Sequence, residues 1–295
     1  VVLQLAAAGS SAFGRLPFTL GFSAVATLAA ALLMTLGGAG LRARPDAEAL
    51  FAAFCWGWVA AGAANIVIAL LQVFAPGLCD GEWLAVSAYP GRAVGNLRQP
   101  NHLSSLLLWH CIAVIALFEL GRLRRWLAAG LLALGVFAVV LTASRTGLAS
   151  VVLLAVWGLA DRRLSKPARV LLCVAPLVYL VSWELMAKWA TLTQQAFGGS
   201  ERLAETDISS SRFAIWRDTL EMIRQQPWLG VGWGEFNFAW TLTPLPQRPV
   251  AFFDHTHNLP LQLAVELGLP LALLVMGLLL WALWQAAQRA WLRIG

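Results

Sequence analysis

The sequence has little charge for its length. Only 12% of its 295 residues are charged, against about a quarter in an ordinary soluble domain, and 59% are hydrophobic. Such a deficit argues against a soluble globule and indicates that lipid takes the place of water around much of the chain. The net charge is +6. No long basic run occurs that could follow a phosphate backbone, so nucleic acid is not an expected partner.

Cysteine is also scarce, and its spacing excludes two kinds of site. Cys55, Cys111 and Cys173 lie within apolar segments, and Cys79 lies in a loop. Because no two of them are spaced as CxxC, neither a zinc site nor a disulfide framework is supported.

Long apolar segments are abundant. A membrane-spanning α-helix needs about 20 apolar residues, and seven segments approach or exceed this length. They are residues 19–40, 50–74, 102–120, 126–143, 147–161, 169–187 and 258–288. The alternation of polar and apolar residues that a transmembrane β-strand requires is absent. We therefore predict an all-α fold, a polytopic transmembrane helix bundle of about seven spans that forms a single domain over residues 1–295.

Lys and Arg in the loops predict how these spans are oriented. When the seven spans are threaded in order, the basic clusters after the first, third, fifth and seventh fall on one side. That side carries eleven Lys and Arg residues and four acidic residues, a net charge of +7. The rest of the chain carries ten Lys and Arg residues and eleven acidic residues, a net charge of −1. The basic side is therefore predicted to be cytoplasmic. The external face then receives residues 75–101, the turn at 144–146 and a long loop over 188–257.

The long loop contains a predicted short amphipathic helix over residues 211–226. Its arginines share one face, Ser209, Ser210 and Ser211 are candidate N-caps, and Pro227 ends it. Such a helix is typical of a membrane surface. Glycines at every second position in 229–234 follow it and favour a tight turn, because the lysine and strand–helix context of a phosphate loop are missing.

Four polar features fall on the predicted external face. They are Arg145 between two apolar spans, Arg212 at the start of the loop helix, the run Asp254–Asn258 before the last span, and the run Arg98–His102 that opens the third span. Each alone has an ordinary interpretation, such as an arginine that reaches lipid headgroups or a proline-containing helix cap. Two histidines at i and i+2 without further ligands do not predict a metal site.

Together these features favour one chemistry. Arginine binds phosphate through a planar, permanently charged fork, and a histidine of ordinary pKa can take a proton from a hydroxyl near neutral pH. A lipid diphosphate places its anionic group at the membrane surface. Glycosyl transfer from it requires a stabilised leaving diphosphate and an activated acceptor hydroxyl. Because nucleotide sugars are not supplied outside the cell, a lipid-linked glycan is the predicted donor.

Several short motifs resemble the bacterial O-antigen ligase and O-antigen polymerase superfamily. They are Gln99–His102, Leu141–Gly147, Ser211–Arg212 with Trp216, Pro227–Gly232, and His257–Asn258 followed after nine residues by Gly268. In this order they cover about residues 90–285. They are most similar to the branch of O-oligosaccharyltransferases that glycosylate pilins and other periplasmic proteins. Leu271 stands where that superfamily often has a small residue.

The resemblance implies a metal-independent transferase of the bacterial inner (cytoplasmic) membrane, without a cofactor, that acts at the periplasmic face. Its donor would be an oligosaccharide linked to undecaprenyl diphosphate. The implied diphosphate-binding residues are Arg145 and Arg212, and the implied catalytic base is His257. The further site candidates are Gln99, which is characteristic of the protein-glycosylating branch, and Asn101, His102, His255 and Asn258.

The acceptor is left open among three classes. A pilin-like periplasmic protein would make the chain a protein O-oligosaccharyltransferase, the lipid A–core an O-antigen ligase, and a growing glycan an O-antigen polymerase. A transporter of lipid-linked glycan is the alternative from another class, although transporters usually show charges buried mid-span and related halves. The superfamily has more spans than seven, so we expect the chain to be a fragment of a longer protein.

Overall fold

The computed structural model of the chain describes residues 18–41, 44–200, 210–245 and 255–291. All regular structure in these ranges is helical, which confirms the predicted all-α class. The α-helices are α1 (Phe18–Leu41), α2 (Ala47–Phe74), α3 (Pro100–Glu119), α4 (Arg125–Leu141), α5 (Arg145–Ala160), α6 (Lys166–Thr193), α7 (Ser210–Gln225), α8 (Phe236–Leu242) and α9 (Leu259–Trp291).

Four of these helices are long and apolar enough to cross a membrane. They are α2, α3, α6 and residues Leu259–Ala286 of α9. Three shorter apolar helices are Val25–Leu41 within α1, then α4 and α5. The protein is therefore a multi-pass membrane protein. The seven-span topology and its orientation stay predictions.

One described helix runs clearly beyond its predicted segment. Helix α6 continues to Thr193, six residues beyond the predicted end at 187, and ends at Gln194 in the left-handed conformation. The exposed Lys188 lies on this extension. The predicted span ended before this charged residue, but the helix continues through it. The helix predicted over 211–226 is present as α7. Its candidate cap Ser209 lies outside the described residues.

The fold divides into two compact units. We call residues 43–206, which hold α2 to α6, the central unit. We call residues 1–42 with 207–295, which hold α1 and α7 to α9, the terminal unit.

The central unit packs three helices around one polar side chain, His110 of α3. Its Nδ1 lies 3.3 Å from the carbonyl of Val59 on α2, and its Nε2 lies 3.3 Å from the carbonyl of Leu131 on α4. A Cβ at Gly62 would overlap the imidazole, and one at Gly135 would lie 3.1 Å from its Cδ2. The two glycines therefore let the neighbouring helices approach closely enough to enclose the ring.

A buried glutamine fixes the segment that leads into α3. Gln72 of α2 is 5% exposed. Its Oε1 accepts hydrogen bonds from Val94 N and Gly95 N, both at 2.9 Å, and its Nε2 donates to the carbonyl of Ala85 at 2.6 Å. The Gln72 side chain thus holds two parts of the segment 75–99, at Ala85 and at Val94–Gly95, against the C-terminal end of α2.

The terminal unit is organised around a break in α9 at Gly268, where φ is 76° and ψ is 162°. In an unbroken helix the carbonyls of residues 265 and 266 would accept from residues 269 and 270, but Pro270 has no N–H to donate. Val231 N instead bonds the carbonyl of Val265 at 2.8 Å, and Gly232 N bonds that of Glu266 at 3.0 Å. Leu269 N bonds the carbonyl of Pro227 at 2.8 Å. Non-helical backbone within a span requires such partners.

Two glycines make this pairing possible. A Cβ at Gly268 would overlap the carbonyl of Trp228, and one at Gly230 would lie 2.6 Å from Gly268 N. The glycine-alternating stretch is therefore more than the tight turn predicted for it. It supplies the backbone partners for the broken helix.

Candidate functional site

The predicted site residues fall into one group in each unit. The central unit holds Gln99, Asn101, His102 and Arg145, and the terminal unit holds Arg212, His255, His257 and Asn258. Each group is described within its own unit.

Arg145 is the first residue of α5 and follows a short turn. Ala143 has a φ of 48°, which reverses the chain after α4. Ser144 is the N-cap of α5, and its Oγ accepts a hydrogen bond from Gly147 N at 3.1 Å, as expected of a serine in this position. The side chain of Arg145 is exposed. The turn therefore presents a guanidinium at the positive end of a helix.

The start of α3 is joined directly to this turn. Ser144 Oγ donates to Asn101 Oδ1 at 2.7 Å, and Ser104 Oγ lies 3.2 Å from Ser144 Oγ. The N-termini of α3 and α5 thus lie side by side, linked by two side-chain hydrogen bonds. Of the predicted residues, the structure brings together Asn101 and the Arg145 turn.

A second arginine contacts the same turn and was missed in the sequence. Arg92 Nε donates to the carbonyl of Thr142 at 3.1 Å, and the guanidinium lies 5.1 Å from the ring centroid of Tyr89. The stem of its side chain runs against Gly198, where a Cβ would overlap it. No motif surrounds Arg92, so the sequence carries no signal for this role.

Gln99 and His102 are both exposed at the same end of α3. Gln99 occupies the N-cap position but makes no capping hydrogen bond with its side chain. The preceding residue, Arg98, is in the left-handed conformation with a φ of 57°, and it donates to the carbonyl of Gly81 at 3.0 Å. The turn before α3 therefore presents both predicted side chains to solvent. Their roles stay predictions.

Replacement of Ser144 by Ala is expected to destabilise the protein by about 1 kcal/mol, the usual cost of a lost N-cap, because Gly147 N loses its acceptor. It also removes the donor to Asn101 Oδ1. Ser150→Ala on the same helix is the matched control, since Ser150 Oγ bonds only the carbonyl of Thr146 and caps nothing. Thermal unfolding of both variants in detergent micelles measures the difference in stability. Equal melting temperatures would contradict the stabilising role of the Ser144 hydrogen bonds.

In the terminal unit, the residues before α9 form a short loop with a buried centre, Thr256. Trp216 Nε1 on α7 donates to the carbonyl of Thr256 at 2.9 Å. The N–H of Thr256 donates to Gln262 Oε1 at 2.8 Å. The loop is thus held from both sides, by α7 and by the first turn of α9.

His257 lies between this buried threonine and a helix cap. Asn258 Oδ1 accepts from Leu261 N at 3.2 Å and so caps α9. His257 has a φ of 54°, a left-handed conformation that surrounding contacts must hold in place. Its exposed ring lies 4.0 Å from that of His255, centroid to centroid, so the structure brings the two histidines together. Asp254 of the same run lies outside the described residues.

A polar pair within the last span connects the histidine loop with the glycine-rich stretch. Gln262 Nε2 donates to Glu266 Oε1 at 2.7 Å, and Glu266 is 6% exposed. The main chain of Glu266 is the partner of Gly232. These two residues were also missed, although polar residues at i and i+4 in an apolar span are a recognised sign of a functional or structural role.

Arg212 belongs to the first turn of α7, four residues before Trp216. Its backbone is helical, and its side chain lies outside the described part of the chain. Its predicted contact with a diphosphate is therefore untested. Within the described ranges, no group of three or more His, Cys, Asp or Glu is arranged to hold a metal ion. Metal independence stays a prediction.

Comparison with known families gives two matches. The sequence pattern described as O-antigen ligase matches residues 128–276, about half of the chain. The pattern described as protein glycosylation ligase matches residues 93–118. No solved structure matches the chain significantly.

Two curated proteins of Acinetobacter baylyi are similar to this chain. It is 30% identical over 203 residues to the ComP-specific O-oligosaccharyltransferase, an alignment that covers 67% of this chain and 36% of that protein. It is 26% identical over 211 residues to the general O-oligosaccharyltransferase, and this alignment covers 68% of this chain and 36% of that protein. The chain thus spans about a third of the length of these relatives. Since the O-antigen ligase match extends over half of the sequence and contains Arg145, Arg212 and His257, the chain belongs to the O-antigen ligase family.

Proposed function

We propose that the protein transfers an oligosaccharide from undecaprenyl diphosphate to a Ser or Thr hydroxyl of a pilin-like periplasmic protein. It does so in the bacterial inner membrane, with its reacting groups on the periplasmic face, and without a metal or other cofactor. The family match supports glycan transfer by a membrane enzyme. The identity of the donor, the identity of the acceptor and the periplasmic location of the reaction are proposed in addition.

The observation that carries the proposal is where the two family matches fall. The O-antigen ligase match contains the Arg145 turn, Arg212 and the histidine loop, and the protein glycosylation ligase match contains Gln99–His102. The arginines, histidines and Gln99 that the sequence analysis selected for their chemistry thus all lie within the regions that match these glycan-transferring families.

The geometry of the Arg145 turn supports an anionic ligand there. Two helix N-termini lie together, joined through Asn101 and Ser144, and each presents its positive dipole end. Arg145 directly follows this turn, and Arg92 donates a hydrogen bond to the carbonyl of Thr142 within it. Arginine binds phosphate oxygens through paired, charge-assisted hydrogen bonds.

In the proposed step, His257 takes the proton from the acceptor hydroxyl as that oxygen attacks C1 of the first sugar. The bond between C1 and the diphosphate oxygen breaks, and undecaprenyl diphosphate leaves with the electron pair. Arg145 and Arg212 stabilise the leaving group as its charge develops. A positioned general base contributes about 10²- to 10⁴-fold to such a rate.

A protein acceptor is favoured over the lipid A–core and over a growing glycan. Gln99 belongs to a motif that resembles the protein-glycosylating branch, and the relatives described above are named O-oligosaccharyltransferases. O-antigen ligase and polymerase activities are the alternatives within the same chemistry.

Deletion of the gene in its own host tests the acceptor. The expected result is that pilin-like proteins lose their glycan, seen as a mass decrease in intact-protein mass spectrometry, while the lipopolysaccharide ladder on gels is unchanged. Restoration by the unaltered gene is the control. A lost ladder with intact pilin glycosylation would contradict the protein acceptor and favour the ligase.

A further inference from the structure

The terminal unit contains an open cleft of about 440 Å³ between the end of α7, the glycine-rich stretch and α8. This volume is within the range of small-molecule sites in proteins. The residues that line it include Met222, Gln225, Gln226, Glu235, Phe238 and Thr243.

The cleft's chemistry favours a neutral, hydroxyl-rich ligand. Among the described residues that line it there are two amides, one carboxylate and one hydroxyl, and none is Lys, Arg or His. Amide and carboxylate groups offer both donors and acceptors to hydroxyls, whereas a phosphate would require a cation. Phe238 presents a half-exposed ring, which suits the apolar face of a sugar.

The walls of the cleft are held by the core of the terminal unit. Phe236 and Trp240, on the other side of α8, are 0% and 2% exposed, and their rings lie 5.6 Å apart. Met222 of α7 is also buried. A site whose walls are already packed loses little conformational entropy when it binds a ligand.

The distance along α7 relates the cleft to the proposed diphosphate site. Met222 lies ten residues after Arg212 in the same helix, which corresponds to about 15 Å along the axis. If Arg212 binds the diphosphate, the cleft lies several sugar units further along the donor glycan.

We propose that this cleft binds a distal, uncharged sugar of the lipid-linked donor glycan. The inference rests on the proposed function. It explains how the enzyme would select a donor by glycan length. The reducing-end sugar reacts elsewhere, so the cleft supplies binding energy without taking part in the chemistry.

Steady-state transfer by the full-length protein in detergent micelles tests this, with two donors that carry a single sugar or the whole oligosaccharide. Gln226→Ala and Phe238→Ala are expected to raise the KM for the long donor about tenfold, and to leave its kcat and the KM for the single-sugar donor unchanged. Asn237→Ala, on α8 but outside the cleft, is the matched control and should change neither KM.

Equal effects on both donors, or none, would overturn the inference, and a raised KM for the acceptor protein alone would assign the cleft to the acceptor instead. Binding of the free oligosaccharide, measured by saturation-transfer NMR on the same proteins, does not depend on transfer. We expect a signal for the unaltered protein and the Asn237→Ala variant that is lost in Gln226→Ala and Phe238→Ala. Absence of transfer by the unaltered protein with this signal present would contradict the proposed function and leave the cleft assignment standing.

Discussion

Replacement of His257 by Asn is expected to reduce glycan transfer by about 100-fold or more, with little change in the KM for either substrate, because the acceptor hydroxyl loses its proposed general base. Asn is the appropriate replacement. His257 has a φ of 54°, and Asn is one of the few residues that adopt this conformation readily. The loop between Thr256 and the Asn258 cap is thus kept while the imidazole is removed. The measurement is the rate of oligosaccharide transfer by purified protein at saturating donor.

His255→Asn is the matched control, since it removes the neighbouring imidazole 4.0 Å away and leaves His257. We expect a much smaller loss for this variant. Full activity of His257→Asn in protein of unchanged melting temperature would exclude His257 as the base. Equal losses for the two variants would point to a shared structural role for the histidine pair.

Replacement of Gly268 by Ala is expected to prevent stable folding of the terminal unit. Its backbone conformation is one that only glycine adopts readily, which alone costs about 1–3 kcal/mol for another residue. The new Cβ would also overlap the carbonyl of Trp228, so the pairing of residues 227–232 with the broken helix would be lost. Membrane proteins, like soluble ones, tolerate few losses of this size. We expect a large fall in the melting temperature in micelles and little folded protein in membranes.

Gly277→Ala in the same helix is the matched control, because a Cβ at Gly277 meets nothing within 4 Å. Alanine is also the better helix former, by about 1 kcal/mol in a helix interior, so this variant is expected to be as stable as the unaltered protein. A melting temperature of Gly268→Ala equal to that of Gly277→Ala would contradict the described break in α9.

The fold class and the positions of the helices could be predicted from the sequence because they depend on local patterns. The apolar segments coincide with helices, and the serines before 212 and Pro227 after the helix bound α7 to within a residue. The division into two units could not be predicted: residues 43 and 206 fall in a basic loop and in the long polar loop, but a loop between helices does not show which helices pack together.

The parts of the candidate site that depend on distant contacts were predicted less well. Arg145, Asn101 and the histidine loop were found from their chemistry and motifs, but the hydrogen bond from Ser144 to Asn101 joins residues 43 apart. The contact of Arg92 with Thr142 spans 50 residues, and that of Trp216 with Thr256 spans 40. A single sequence contains no information on such pairs. The spacing from Asn258 to Gly268 was recognised, but its physical reason, a capped helix that breaks after about ten residues, requires the structure.

The most direct test of the proposed glycan transfer is a reaction of purified components. The full-length protein is incubated with undecaprenyl-diphosphate oligosaccharide and a pilin-like acceptor, in the presence of a chelator, and the acceptor is analysed by mass spectrometry. We expect an acceptor heavier by one oligosaccharide on a Ser or Thr, released undecaprenyl diphosphate in equal amount, and loss of both products with His257→Asn. An unmodified acceptor, with donor merely moved across the bilayer when the protein is placed in vesicles, would contradict the proposed glycan transfer and favour a transporter.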